Sequence, residues 1–316
     1  MPEKKIIAVV GATGAQGGGV VRAILADKSG EFAVRAITRD VNSDKAKALK
    51  AAGAEVVEGD VDDEASLTKA FQGAYGAYCV TFFWAHYSPE KEYQNAVNMA
   101  KAAKAAALKH VIWSTLEDTR LWVPLDDNRM PTLQGKYKVP HFDAKGEANQ
   151  VFIDLGVPTT FLYASFYWDN FIYFGAGPKK GPDGQLTLTM PTGKAKVAGV
   201  AAEDIGKVAY GIFKKGTATV GKKIGVAGEH LSGDEMAAAM SSAIGQQVKF
   251  NDVPPDVYRG FGFPGADDLG NMFQFYHDFE KECNTMRDVA KANALAPGLQ
   301  TFTQWLSANA SKIPLE

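Results

Sequence analysis

The sequence predicts an α/β fold with a doubly wound parallel sheet, and two patterns support this prediction. From residue 5 to residue 163, short apolar runs alternate with amphipathic helical segments over short connections. The first apolar run ends in three glycines spaced three apart, Gly11, Gly14 and Gly17. Strands and helices that alternate in this way form a parallel sheet with right-handed crossovers. The 316 residues suffice for one such domain with a smaller one attached.

The composition is that of an ordinary globular protein, with 46% hydrophobic and 22% charged residues and a formal net charge of −2. A chain so close to neutral is not expected to bind nucleic acid or an anionic membrane directly. We expect neither a signal peptide nor a membrane-spanning helix. There are two cysteines, Cys79 and Cys283, and Cys79 lies in an apolar run. This usage argues against a disulfide framework and favours a reducing, cytoplasmic location.

Residues 5–19 (KIIAVVGATGAQGGG) are predicted to form a buried strand, a tight turn and the start of a helix. The three glycines meet separate steric demands: a sharp turn, close approach of the backbone to a phosphate, and tight packing of helix on sheet. N–H groups of the first helical turn, with the positive end of the helix dipole, then form a site for a pyrophosphate. Thr13 and Gln16 can add side-chain donors. The alternative is a plain strand-to-helix turn without a ligand.

The second strand is predicted at residues 32–38 (FAVRAIT), and Arg39 stands at its end. In a Rossmann-type sheet this is the position that meets the adenosine ribose. An acidic residue here would bind the ribose 2′-hydroxyl of NAD, whereas an arginine offers a forked cation to the 2′-phosphate of NADP. Arg39 therefore favours NADP(H), although Asp40 follows it directly.

The next segments continue the alternation. Strands are predicted at 55–57, 75–81, 109–114 and 159–163, and helices at 43–52, 89–107 and 141–155. Either Asp62 or Asp63 is expected to cap the helix after the third strand. Residues 117–140 lose all periodicity, and a loop of this length is typical of a lid or substrate loop.

Beyond residue 164 the alternation stops. Short strands are predicted at 185–190, 222–226 and 247–253, and helices at 201–214, 233–244, 267–279 and 300–310. We therefore divide the chain into a nucleotide-binding Rossmann domain, 1–164, and a smaller mixed α/β domain, 165–316. The smaller domain is expected to cover a cleft at the carboxyl edge of the sheet, and its elements can interleave with the larger one.

The sequence leaves its catalytic chemistry open. Short-chain reductases of this fold use a serine after the fifth strand and a Tyr-x-x-x-Lys pair on the next helix, and Ser114 and Lys145 stand at two of these positions. His141 replaces the tyrosine. Its imidazole can donate a proton, or it can simply cap the helix. Neither a metal-ligand spacing nor a G-x-S-x-G motif occurs, so metal and serine-hydrolase sites are not expected.

Several stretches together resemble the NmrA-like family of atypical short-chain dehydrogenase relatives, and in particular its NADPH-sensing members. The stretches that carry the resemblance are GATGAQGG at 11–18, VRAITRD at 34–40, GAEVVEGDVDD at 53–63, HFDAKGE at 141–147 and GFPGADDLGNMFQFY at 262–276. They span nearly the whole chain. HFDAKGE also explains His141, because the family resembles short-chain reductases without their tyrosine.

The resemblance implies a set of NADP(H) contacts. The pyrophosphate would lie on the turn from Gly11 to Gly17, and the 2′-phosphate on Arg39. The full set of expected contact residues is Gly11, Ala12, Thr13, Gly14, Ala15, Gln16, Gly17, Arg39, Asp60 and Val61 at the adenine, Thr81, Phe82 and Phe83 along the groove, Lys145 at the nicotinamide ribose, and Tyr167, Trp168, Asp169 and Asn170 beside the ring. After Arg39 the family's sensors carry further basic residues, whereas this chain has residues 40–43 (DVNS) before Lys45, which implies a weaker preference for NADP. In the groove, Gln94 stands where a sensor would place a lysine.

Three functions follow from these observations. The first is an NADP(H)-binding, redox-responsive regulator whose cofactor changes its conformation, its oligomeric state or its protein partners. The second is an NADPH-dependent reductase of quinones or aromatic carbonyl compounds, based on Lys145, Ser114 and an aromatic-rich cleft. The third is an interaction scaffold with a vestigial glycine turn. The expected partners are a nicotinamide dinucleotide and a regulatory protein, with a homodimer left open.

Overall fold

The computed structural model describes residues 4–28, 30–181 and 183–315. By their contacts these residues form two compact units. The first unit takes its residues from the ranges 1–118, 141–163 and 203–224, and the second from 119–140, 164–202 and 225–316. Residues 203–224 thus return to the first unit after the chain has entered the second.

The strands of the described chain are β1 (Lys5–Val9), β2 (Phe32–Thr38), β3 (Glu55–Glu58), β4 (Gly76–Cys79), β5 (His110–Thr115), β6 (Thr159–Tyr163), β7 (Phe166–Tyr167), β8 (Lys179–Lys180), β9 (Leu186–Met190), β10 (Val197–Val200), β11 (Lys223–Gly225), β12 (Glu229–Leu231) and β13 (Val248–Asp252). The helices are α1 (Ala15–Ala26), α2 (Asp44–Ala51), α3 (Glu64–Phe71), α4 (Pro89–Ala105), α5 (Pro140–Asp154), α6 (Asn170–Tyr173), α7 (Ala202–Lys215), α8 (Gly233–Ile244), α9 (Pro255–Arg259), α10 (Ala266–Asp278), α11 (Glu280–Met286), α12 (Val289–Leu295) and α13 (Phe302–Asn309). None of these helices, within the described ranges, is both long and apolar enough to cross a bilayer.

The large sheet has the strand order β11-β6-β5-β4-β1-β2-β3. Every pairing between neighbours from β3 to β6 is parallel. The chain order reverses at β1, which has β2 on one side and β4 on the other, with Val9 opposite both Ala36 and Tyr78. Ligands of such sheets bind outside the carboxyl ends of the strands at this reversal. The predicted Rossmann-type α/β fold is confirmed.

The second unit is built on smaller sheets, β12-β10-β7 and β13-β9-β8, both with mixed pairing. Its core includes a cluster of aromatic rings in which Phe302 stacks on Trp305 at 5.9 Å and lies 5.3 Å from Trp168. The smaller mixed sheets agree with the prediction for the second half of the chain.

The long loop predicted at 117–140 is held by α10 within the second unit. Asn271 donates hydrogen bonds from its amide to the carbonyls of Pro131 and Lys138. Gln274 donates to the carbonyl of Arg129 at 2.7 Å. These anchors come from the segment 262–276 that carries the family resemblance, so part of its sequence is explained by loop anchoring.

Most predicted elements coincide with the observed ones to within two residues, and Asp63 caps α3 as expected, accepting from the N–H groups of Ala65 and Ser66. The strand predicted at 222–226 is β11, which lies beside β6 in the large sheet. The short strands β7, β10 and β12 were not predicted. β10 reads VAGV, a run too short and too rich in small residues to stand out.

His110 is a buried titratable group in the first unit. It is 0% exposed at the start of β5, with Nε2 2.9 Å from the Thr160 hydroxyl and its ring 5.2 Å from that of Phe213. Its Nδ1 has no hydrogen-bond partner among the described residues. Burial lowers the pKa of His110 to about 4, so the imidazole is neutral in the folded protein.

We predict that His110 makes the protein less stable in acid. The unfolded chain protonates this imidazole below its usual pKa of about 6.5, whereas the folded chain does not until about pH 4. The free energy of unfolding should therefore fall between pH 7 and pH 4.5, and His110 should account for about 2–3 kcal/mol of that fall. Urea denaturation of the wild type and of His110→Gln at pH 7 and pH 4.5 measures the free energy of unfolding of each protein. Equal losses in the two proteins would contradict the prediction.

Candidate functional site

The turn after β1 presents unsatisfied backbone N–H groups at the start of α1. Gly11 has φ +64°, a conformation that L side chains rarely adopt, and a Cβ on Gly17 would lie 2.3 Å from the Gly11 carbonyl oxygen. Gly14 occupies the N-cap position, so no side chain caps the helix, and its first turn holds no acidic residue. By contrast, α2, α3 and α4 are capped by Ser43, Asp63 and Ser88. The start of α1 therefore suits an anion.

Gln16 links this turn to two neighbouring strands. Its Oε1 accepts hydrogen bonds from the Tyr78 hydroxyl of β4 and, at 2.7 Å, from the Ser114 hydroxyl of β5. The hydroxyl proton of Ser114 is thus directed at the glycine turn, although sequence spacing had suggested a catalytic role. Ser114 is only 2% exposed, so its place in the structure is that of a support for Gln16.

Arg39 lies exposed at the end of β2, where the sequence placed it. No hydrogen bond or ion pair joins its side chain to any described residue. The neighbouring Asp40 turns its carboxylate back into its own turn, accepting from the N–H of Asn42 at 2.8 Å. The Asp40 carboxylate, which had left NAD open as an alternative, is therefore engaged in a hydrogen bond. The Arg39 guanidinium has no protein partner in the described chain.

Asp60 and Val61, the expected adenine contacts, lie in the turn after β3. The Asp60 carboxylate accepts from the N–H of Asp62 at 3.0 Å. The carbonyl of Val61 accepts from the amides of Asn95 and Asn98 on α4, at 3.2 and 2.9 Å. The N–H of Val61 donates to no described residue, so this turn retains one backbone donor for a ligand.

The residues after β4 separate into exposed and buried members. Phe82 is 58% exposed, whereas Phe83 is 3% exposed. Trp84 packs on Phe83 at 5.2 Å and on the ring of His141 at 4.8 Å. His141 is 6% exposed in the first turn of α5, within this aromatic cluster. Of the residues predicted to line the groove, Phe82 is thus the one that offers an aromatic surface.

Lys145 projects from α5 towards α4. Its ammonium lies 2.6 Å from Glu92 Oε1, and it also donates to the Thr81 hydroxyl. Burial alone would raise the pKa of Glu92, but Lys145, His86 and Thr81 together lower it to about 2, so the carboxylate is ionised. The sequence did not single out Glu92. In PEKEY it reads as one more charge on an exposed helix face, and only its folded neighbours distinguish it.

The residues expected beside the nicotinamide ring, Tyr167 to Asn170, lie in the second unit. Trp168 is 1% exposed and packs in the aromatic cluster of that unit. The Asp169 carboxylate accepts from the N–H of Ala202 at 2.8 Å. Tyr167 and Asn170 are partly exposed. Among the described residues, no three His, Cys, Asp or Glu side chains come together as a metal site.

The strand order, together with an uncapped glycine turn at the point where that order reverses, defines a Rossmann-type fold of the kind that carries a dinucleotide's phosphates on this turn. The model of the NmrA-like family matches residues 3–306. The chain belongs to the NmrA-like family, which confirms the resemblance in its motifs.

Proteins similar to this chain include both enzymes and a regulator. The NmrA-like family domain-containing oxidoreductase FrzB of Cladobotryum sp. is 28% identical over 93% of this chain and 92% of its own length. NmrA, a negative transcriptional regulator, in complex with NADP has a TM-score of 0.78 at 24% identity, covering 98% of this chain and 96% of its own. The triphenylmethane reductase of Citrobacter sp. complexed with NADP(H) has a TM-score of 0.75 at 21% identity, covering 96% and 99%. At these identities the two structures establish the shared fold.

We predict that Gly17→Ala destabilises the protein by about 1–3 kcal/mol, because its Cβ would collide with the Gly11 carbonyl. Gly14→Ala is the matched control. Its Cβ would meet the same oxygen at 3.2 Å, and we expect a loss below about 1 kcal/mol. Urea denaturation of both variants provides the comparison. Similar losses would show that close packing at Gly17 does not shape the turn.

Proposed function

We propose that this chain binds NADP(H) along the carboxyl ends of β1, β2 and β4. The observation that carries the proposal is the uncapped start of α1 at the strand reversal. Its N–H groups would receive the pyrophosphate. The unpartnered guanidinium of Arg39, with Asp40 turned into its own loop, would receive the 2′-phosphate.

The remaining expected contacts are part of the same proposal. The N–H of Val61 would meet the adenine, and Lys145 would meet the nicotinamide ribose. Phe82 would offer its exposed ring to the groove. Tyr167 to Asn170 would lie beside the nicotinamide. NADP(H), when bound, can supply or accept a hydride.

Removing the Arg39 charge tests the cofactor preference. A charge-assisted hydrogen bond is worth about 1.5–3 kcal/mol, so Arg39→Gln should weaken NADPH binding by about 10- to 100-fold. NADH binding should change little, because NADH lacks the 2′-phosphate. Calorimetric titration with both nucleotides measures the two affinities.

Arg22→Gln is the matched control, because Arg22 is an exposed arginine of α1 that pairs with Glu203 at 3.0 Å, within the same unit. It should leave both affinities unchanged. If Arg39→Gln binds NADPH as the wild type does, the assignment of the 2′-phosphate is wrong. If the wild type binds neither nucleotide, the scaffold hypothesis takes its place.

We further propose that the bound cofactor makes the protein a redox-responsive regulator, acting through its conformation or its partner binding. Three features of the first unit support regulation over turnover. His141 stands in place of a tyrosine acid and is packed among aromatic rings. Ser114 donates to Gln16, and Lys145 is paired with Glu92. The serine and the lysine are therefore not directed together at a substrate.

Cys79 is buried at the end of β4. Burial raises the pKa of its thiol, which keeps it protonated and unreactive. Cys79 therefore does not compete with the nicotinamide cofactor as a redox-responsive group.

The second candidate function is an NADPH-dependent reductase of quinones or aromatic carbonyl compounds. The exposed ring of Phe82 and the adjacent Trp84 favour a planar aromatic substrate. The oxidoreductase names of relatives such as FrzB point the same way. In this case Lys145 would hold the nicotinamide ribose. His141, one turn before Lys145 on α5, would be the candidate proton donor to the substrate.

Two measurements distinguish the functions. A regulator requires NADPH and NADP⁺ to favour different conformations, since a ligand that binds both equally shifts nothing. We expect different affinities and different tryptophan fluorescence for the two forms, and no NADPH oxidation over a panel of quinones and enones. Identical affinities and responses would exclude the regulator. Steady turnover that is lost in Lys145→Met would establish the reductase.

A further inference from the structure

The ammonium of Lys145 is held in a network of side chains that the sequence pattern did not predict. The side chains of Lys145 and Glu92 are 11% and 1% exposed, and Nζ lies 2.6 Å from Glu92 Oε1. The Thr81 hydroxyl contacts both of them, 2.6 Å from Glu92 Oε1. Two of the three ammonium N–H groups thus have close protein acceptors. The third acceptor is the Thr81 carbonyl at 3.4 Å, the longest of these bonds, and a ligand oxygen can most easily replace it.

The second oxygen of Glu92 faces His86. His86 Nε2 lies 3.4 Å from Glu92 Oε2, although the two atoms form no hydrogen bond. On the other side of the ring, Nδ1 accepts the N–H of Ser88 at 3.1 Å. Because Nδ1 accepts, the proton of a neutral imidazole must be on Nε2, where it faces the carboxylate. Both carboxylate oxygens therefore have a fixed neighbour.

We propose that Glu92 is the positioning residue of this cofactor site, holding the Lys145 ammonium in place for the nicotinamide ribose. The inference rests on the proposed function, since the contact of Lys145 with the ribose belongs to it. The Glu92 side chain is 1% exposed, so its carboxylate has little room to move and offers Nζ a charged acceptor at 2.6 Å.

The charged and titratable groups around the pair are few in the described chain. From the turn before α4 comes His86, and beside it lies Asp62 of the turn after β3, which is paired with Lys91 at 2.9 Å. On α5 itself, His141 lies one turn before Lys145. Among the residues that the structure describes, Glu92 is the carboxylate in contact with the ammonium.

The test is NADPH affinity, measured by calorimetric titration. Glu92→Gln should bind NADPH about tenfold more weakly than the wild type, because the Lys145 ammonium loses its charge-assisted hydrogen bond and with it its fixed position. Glu90→Gln, an exposed carboxylate in the first turn of the same helix, should behave as the wild type.

A double-mutant comparison separates positioning from direct contact. If Glu92 acts only through Lys145, then Glu92→Gln in the Lys145→Met background should cause no further loss. Additive losses would mean that Glu92 meets the cofactor itself and would overturn the proposal. Wild-type affinity for NADPH in Glu92→Gln would also overturn it.

Should Glu92→Gln fail to fold, Glu92→Asp serves in its place. It keeps the charge but withdraws the carboxylate from Nζ, so we expect a several-fold loss, again absent in the Lys145→Met background. Wild-type affinity in Glu92→Asp would overturn the proposal. Failure of the proposed function has a different signature: either the wild type does not bind NADPH, or Lys145→Met binds it as the wild type does.

Discussion

The N–H groups at the start of α1 need acceptors that the described chain does not provide through a side-chain cap. Neighbouring helices satisfy theirs with serine or aspartate caps. A side-chain cap is not available at α1, because Gly14 occupies the N-cap position. Gly17 also lies so close to the Gly11 carbonyl that a side chain there would collide with it. The same packing that brings helix and sheet together leaves the donors exposed at the strand reversal. An anionic ligand would complete the hydrogen bonding there.

Two cationic side chains of the first unit lie in different environments. Arg39 is exposed and has no partner in the described chain, while Lys145 is partly buried and paired with Glu92. An exposed guanidinium can meet a phosphate directly. A carboxylate beside an ammonium instead fixes the position of that ammonium through a charge-assisted hydrogen bond.

The sequence predicted what depends on local pattern. The strand at 32–38 and the helix at 233–244 have the observed bounds, and Arg39 lies at the end of β2 as expected. Contacts between distant residues were not predictable. Gln16 meets Tyr78 and Ser114, which are 62 and 98 positions away, and no local spacing encodes these contacts. Glu92 was missed for the same reason. β11 was predicted as a strand of the smaller domain, whereas it lies beside β6 in the large sheet. A three-residue strand carries no information about the strand with which it pairs.

We propose that the N–H groups of the turn from Gly11 to Gly17 bind the pyrophosphate of NADP(H). Amide hydrogen exchange, followed by mass spectrometry with and without NADPH, tests it most directly, because it reports on those groups themselves. We expect slower exchange in peptides covering residues 11–17 and no comparable change in peptides covering α8. If NADPH binds and exchange at residues 11–17 is unaltered, the nucleotide lies elsewhere and this turn is not its pyrophosphate site.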